Sequence, residues 1–122
     1  MTLKSIFVVF IGGIIGSLLR WLISLQFHET GFPIGTLFVN ISGAGFLLLA
    51  LSYFERHPRP RWWWRPAIAT GFCGGFTTYS AFAVQVQDYL ELHKYFAAGS
   101  YVVLSVAGTY LIMTIISRKL LK

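Results

Sequence analysis

Residues 71–82 read GFCGGFTTYSAF. They sit in the middle of an apolar run, from about Pro66 to Leu90, that is long enough to cross a bilayer, which takes roughly 20 mostly apolar residues. Yet the stretch holds three glycines, two threonines and a serine. Gly and Thr are poor helix formers, so a regular helix is expected to break around Gly74 to Thr78. Irregular backbone at membrane depth is tolerated only where it is buried in protein or lines a cavity. Breaks of this kind free carbonyls and amides, which commonly coordinate ions. The other reading is an intact helix with a glycine-rich packing face.

The rest of the chain agrees with a membrane setting. Of 122 residues, 56% are apolar, 17% aromatic and only 11% charged, against about 25% charged in a soluble domain. Mean hydropathy is +0.67. Three further apolar runs flank the first: about Leu3 to Phe27, Gly35 to Phe54 and Tyr95 to Ser117. The expected fold is therefore an all-α integral membrane protein of four transmembrane helices, the third broken at its centre. Residues 1–122 form a single domain, with no room for a soluble one. The first run starts almost at Met1, is longer than a signal-peptide core and has no small-residue cleavage site, so it is expected to be a retained span. Between the runs lie polar loops at His28 to Pro33, at 55–65 (ERHPRPRWWWR) and at Asp88 to Lys94. Trp62, Trp63 and Trp64 suit the headgroup level.

Ten Lys and Arg against four Asp and Glu give a net charge of +6. The basic residues cluster between apolar runs, which argues for membrane flanks and against nucleic acid. One cysteine excludes an intrachain disulfide, and His28, His57 and His93 are too dispersed to suggest a metal cluster. The carboxylates Glu29, Glu55, Asp88 and Glu91 lie in loops or at helix ends. No nucleophile elbow or phosphate loop is present, so no enzyme is expected.

A few polar residues interrupt the spans. Gly12 and Gly16 have the spacing of close helix contacts, and Gly43 and Gly45 are read the same way. Arg20 is the one charge well inside a span, costing several kcal/mol unless it is paired or snorkels. It is either a fixed positive potential near an anion route or an interfacial anchor. Thr36 and Asn40 are four apart on one helix face; the Asn40 amide either donates to an anion or bonds between helices. Tyr101, Ser105 and Thr109 recur every four residues and rotate by only about 40° each time, forming one hydroxyl stripe. That stripe is a polar track, or its hydroxyls are satisfied on the helix's own carbonyls. Tyr79 and Phe82 place aromatic edges, which are electropositive, on one face after the break, an arrangement that packing alone also produces.

With these residues in view, the chain resembles the Fluc (CrcB) family of bacterial fluoride channels over nearly its whole length. GGIIGSLLRW (Gly12 to Trp21), GTLFVNISGAG (Gly35 to Gly45) and GFCGGFTTYSAF look like the family's first-, second- and third-helix motifs. The resemblance implies an antiparallel dimer with two narrow fluoride pores in a bacterial inner membrane. It implies a structural Na+ at the dimer centre, held by backbone carbonyls of Gly74 and Thr77 from each subunit. It assigns the pore to Asn40, Thr36, Arg20, the hydroxyls of Tyr101, Ser105 and Thr109, and the pair Tyr79 and Phe82 with Ser80 between them. Two positions depart from the family pattern: Tyr79 stands where a phenylalanine is usual, and Gln85 where glutamate is frequent. The expected activity is passive export of fluoride.

Charge counting adds a tension. With four crossings, one side receives Lys4, Arg56, Arg59, Arg61, Arg65, Arg118, Lys119 and Lys122, and the other only Lys94. This places both termini in the cytoplasm. An antiparallel homodimer would need a more even balance, so the dimer partner is either a second copy or an oppositely oriented homologue. A small multidrug exporter is the competing transporter reading. It would want a carboxylate in the first helix, where this chain has none. A non-conducting scaffold subunit would leave Asn40 and the hydroxyl stripe without a role.

Overall fold

The computed structural model describes residues 2–27, 31–57 and 61–120. His28, Glu29, Arg59 and Lys122 lie outside the described residues. Within them the chain is helical, with no strand. Helix α1 runs Leu3–Gln26, opened by Thr2, whose hydroxyl accepts the Ser5 N–H. Helix α2 runs Ile34–Arg56, starting directly after Pro33. The third segment begins as a π-helical stretch, Pro66–Phe72, and tightens into a single α-turn, α3, Cys73–Phe76. Thr77 and Thr78 are extended, with φ/ψ of −85°/158° and −149°/122°. Helix α4 then runs Tyr79–Glu91 and α5 Tyr95–Leu120. His93, in the left-handed region at φ 54°, makes the turn between them.

Three helices, α1, α2 and α5, are long and apolar enough to cross a membrane. Their bounds fall within three residues of those expected. Helical structure is interrupted at Thr77–Thr78, the C-terminal edge of the expected window. Gly74 and Gly75 remain helical, and the Thr77 N–H and hydroxyl both bond back to the Cys73 carbonyl at 3.0 and 2.9 Å. Trp64, expected in a loop, already lies in a helical turn, because the chain ahead of Pro66 supplies a carbonyl at Trp63 for the Ala67 N–H.

Helix α2 touches every other element. Helix α1 lies with its backbone directly on that of the π-helical stretch and α3. A Cβ on Gly12 would collide with the Ala67 carbonyl oxygen, and one on Gly16 with that of Phe72. The close-contact reading of these two glycines therefore holds. The apolar faces point mostly outward: only 6% of the apolar window of α5 is buried inside the chain. Lipid or another protein surface must cover that face.

Replacing Gly16 by Leu drives a side chain into backbone that cannot yield. Overpacking costs about 1–3 kcal/mol even where neighbours can move. The expected result is loss of the monodisperse species on size exclusion in detergent, with the neighbouring Leu19→Ala variant, half-way out on the surface, unaffected.

Candidate functional site: the groove beside the interrupted helix

Two extended residues between helices leave backbone groups without helical partners, and buried backbone groups left unpaired are costly. Asn40 meets both groups of Thr78. Its Nδ2 donates to the Thr78 carbonyl at 2.9 Å, and its Oδ1 accepts the Thr78 N–H at 2.8 Å. One side chain thus replaces a strand neighbour. The second Nδ2 hydrogen is not used in this pair. The Thr78 hydroxyl caps α4 by accepting the Ala81 N–H at 3.2 Å.

The other side of the interruption is held from α1. Arg20 Nε donates to the Gly75 carbonyl at 3.1 Å, and the Ser17 hydroxyl to the same oxygen at 3.4 Å. A cation at the C-terminal end of a helical run is favoured by the helix dipole. Arg20 is therefore neither snorkelling nor unpaired: it caps α3. Between the Cys73 and Gly75 carbonyls, both occupied, Gly74 is exposed, and a Cβ there would meet nothing within 4 Å.

A groove of about 630 Å³ opens along the interruption, lined among others by Asn40, Gly74, Thr77, Phe82, Ser105 and Thr109. Tyr79 also lines it, with four-fifths of its surface exposed. Ser105 donates its hydroxyl to the Tyr101 carbonyl at 2.8 Å. The Thr109 hydroxyl is bonded to no described residue. Ser80 is exposed, its hydroxyl 3.2 Å from that of Thr78.

Tyr101 does not share this groove. It is fully buried, between Phe32 (ring centroids 5.6 Å, edge-on) and Phe82 (5.1 Å). Its hydroxyl donates to Gln85 Oε1 at 2.8 Å, while Gln85 Nε2 donates to the Thr36 hydroxyl at 3.0 Å. Thr36 and Gln85 line a separate cavity of about 360 Å³, with Asp88 and Lys94 also in its wall. The sequence-expected residues are thus divided. Asn40, Tyr79, Phe82, Ser105 and Thr109 share one groove, Thr36 opens on another cavity, and buried Tyr101 stands between them. Gln85, noticed in the sequence only as a departure, is the link. Its signal was there: Phe82, Gln85 and Tyr89 fall on one face of α4, so an amide interrupts the inward aromatic stripe.

The family described as "CrcB-like protein, Camphor Resistance (CrcB)" matches residues 7–116. Similar proteins include the "Fluoride-specific ion channel FluC" of Pectobacterium atrosepticum, 40% identical over 88% of this chain and 87% of that one. "Fluoride-specific ion channel FluC 1" of Yersinia pestis is 41% identical over 93% and 91%. "Fluoride-specific ion channel FluC" of Escherichia coli O1:K1 is 42% identical over 92% and 90%.

Tyr101→Phe and Gln85→Leu each break the Tyr101–Gln85 bond, and Gln85→Leu also orphans Thr36. A double-mutant cycle on unfolding in mixed micelles is expected to give a coupling of about 1 kcal/mol. A value near zero would mean the bond does not exist in solution.

Proposed function

This chain belongs to the CrcB-like protein family, and we propose that it is a fluoride-specific ion channel of the cell membrane: it conducts fluoride passively down its electrochemical gradient and exports it from the cytoplasm. It is a multi-pass membrane protein and a channel, not an enzyme. The observation that carries the reading is the meeting of Asn40, Phe82, Ser105 and Thr109 in one groove beside the interrupted helix. Its near full-length similarity to proteins named fluoride-specific ion channels supports it.

Fluoride must exchange water for protein donors along its path. Asn40 is anchored on Thr78, so its remaining N–H is held in place and costs little to organise. Thr109 offers a hydroxyl that has no competing bond. Ser105 must turn away from the Tyr101 carbonyl to donate. The ring edge of Phe82 adds a weak, neutral attraction. None of these groups is charged, which suits a site that must release the ion as readily as it takes it up. Arg20, fixed behind the interruption, supplies positive potential without a contact that would trap the anion. Acid outside the cell lets neutral HF cross the bilayer and dissociate inside, and the channel lets the trapped fluoride leave, which gives fluoride resistance.

In this reading the two pieces Pro66–Phe76 and Tyr79–Glu91 together form a fourth crossing, in a bacterial inner membrane with both termini cytoplasmic. The chain acts as an antiparallel dimer, either with itself or with an oppositely oriented homologue; the eight-to-one bias of basic residues favours the second and the family's habit the first. The Gly74 and Thr77 carbonyls fit a structural Na+. They are hard oxygens at a helix C-terminal end, Gly74 opens on empty space, and two carbonyls per chain need a second chain to complete the shell. The ion would supply a fixed positive charge holding two chains together.

Liposomes containing only this purified chain are expected to release fluoride rapidly and chloride not measurably, read with ion-selective electrodes. Thr109→Val, which breaks no bond in the fold, should lower the fluoride rate about tenfold, the effect of one lost donor, with an unchanged melting temperature. Asn40→Leu should abolish flux and also destabilise the fold by about 2–5 kcal/mol, because two backbone groups lose their partners. No fluoride release from the chain alone, restored by an oppositely oriented homologue, selects the heterodimer. No release in either case removes the channel reading.

A further inference from the structure

A second groove, of about 620 Å³, lies on another face of the molecule and is almost entirely apolar. One wall is α1, through Phe7, Val8, Ile11 and Ile15; the other is the π-helical stretch, with Trp62 and Trp63 at its start. Phe46 and Phe72 form the floor, their rings edge to face at 5.5 Å. The groove is of ligand-binding size.

Its mouth is basic. Lys4 lies one turn before Phe7 and Val8 on the same face of α1. Arg61 and Arg65 flank the Trp62–Trp63 pair. All three cations are exposed, and none makes an ion pair with a described residue. Three exposed positive charges, two indoles suited to the headgroup level and an apolar groove beside them match one partner in charge and chemistry. Basic pockets between transmembrane helices on the cytoplasmic side take anionic headgroups.

We infer that this groove is a binding site for an anionic phospholipid, one acyl chain lying between α1 and the π-helical stretch and the phosphate held by Lys4, Arg61 and Arg65. The site connects to the interruption: Phe72 in its floor stacks on Phe76 at 5.6 Å with the rings 9° from parallel, and Phe76 is the last residue before Thr77. A seven-residue π-helical stretch has poorer backbone geometry than an α-helix, and a lipid filling the groove supports it from outside.

The test uses the whole chain carrying Trp21→Phe, so that fluorescence comes from Trp62, Trp63 and Trp64. The protein is reconstituted in phosphatidylcholine with a minor fraction of either phosphatidylglycerol or phosphatidylcholine brominated on the acyl chain. Per mole, the brominated phosphatidylglycerol is expected to quench at least about fivefold more strongly, the effect of one basic residue near an anionic surface. The Lys4→Gln, Arg61→Gln, Arg65→Gln triple variant should bring the ratio to about one. Val8→Phe with Ile15→Phe, which fills the slot and leaves the cations in place, should also lower it. A ratio near one in the unsubstituted protein overturns the inference, as does a ratio unchanged by either set of substitutions. Quenching by neither lipid also overturns it, since the groove is then covered by protein, a second copy of the chain being the obvious cover.

Discussion

The backbone of Thr77 and Thr78 leaves the helix, and the fold is arranged around satisfying the groups this frees. In hydrocarbon each unpaired backbone group costs several kcal/mol. Several of the groups freed here are answered from different places. Asn40 of α2 takes both polar groups of Thr78, Thr77 turns its own hydroxyl back to Cys73, and Arg20 and Ser17 of α1 share the Gly75 carbonyl. Remove one of these and the interruption must move or close into helix.

That requirement explains features that would otherwise look independent. Arg20 and Ser17 reach Gly75 only because α1 lies directly on the backbone of the third segment, and only residues without a Cβ at 12 and 16 permit that approach. Asn40 reaches Thr78 only because Gly43, one turn on, makes room for Thr77 and Phe76. Small-residue spacing in α1 and α2 is thus tied to the break in a third segment, from 34 residues (Gly43 to Thr77) to 66 residues (Gly12 to Thr78) away in sequence. The two readings of Asn40, glue and donor, also cease to compete. An amide pinned by two bonds is a better organised donor with its remaining hydrogen than a free one.

The sequence exposes the membrane helices because each is one long local pattern, and α1, α2 and α5 begin and end within three residues of where hydropathy puts them. The break is legible for the same reason: Gly and Thr in an apolar run are a local signal. What is not legible is long-range. Nothing near Arg20 says that its guanidinium caps a helix 55 residues on. The stripe of Tyr101, Ser105 and Thr109 is a true helical face, yet its three hydroxyls have three fates. Packing of Phe32 and Phe82 buries Tyr101, Ser105 bonds its own helix, and only Thr109 is left unbonded. Periodicity gives the face and not what stands opposite it. The π-helical stretch leaves no sequence signature beyond Pro66.

Helices in lipid gain no hydrophobic free energy by meeting one another, so their association rests on close packing and polar contacts. This chain follows that logic: its buried apolar core is small, while Asn40, Arg20 and Gln85 bridge elements with short, directed bonds. Of these three, Asn40 also lines the polar groove and Gln85 the separate cavity beside it. Such a molecule has little freedom to vary its site without losing its shape. The exceptions are the groove residues that carry no structural bond, Thr109 on α5 and the exposed ring of Tyr79. A tyrosine is accommodated at position 79 because its ring is mostly exposed and meets only Phe82 among the described rings, at 6.0 Å, whereas Phe82 is also packed at 5.1 Å against the buried Tyr101.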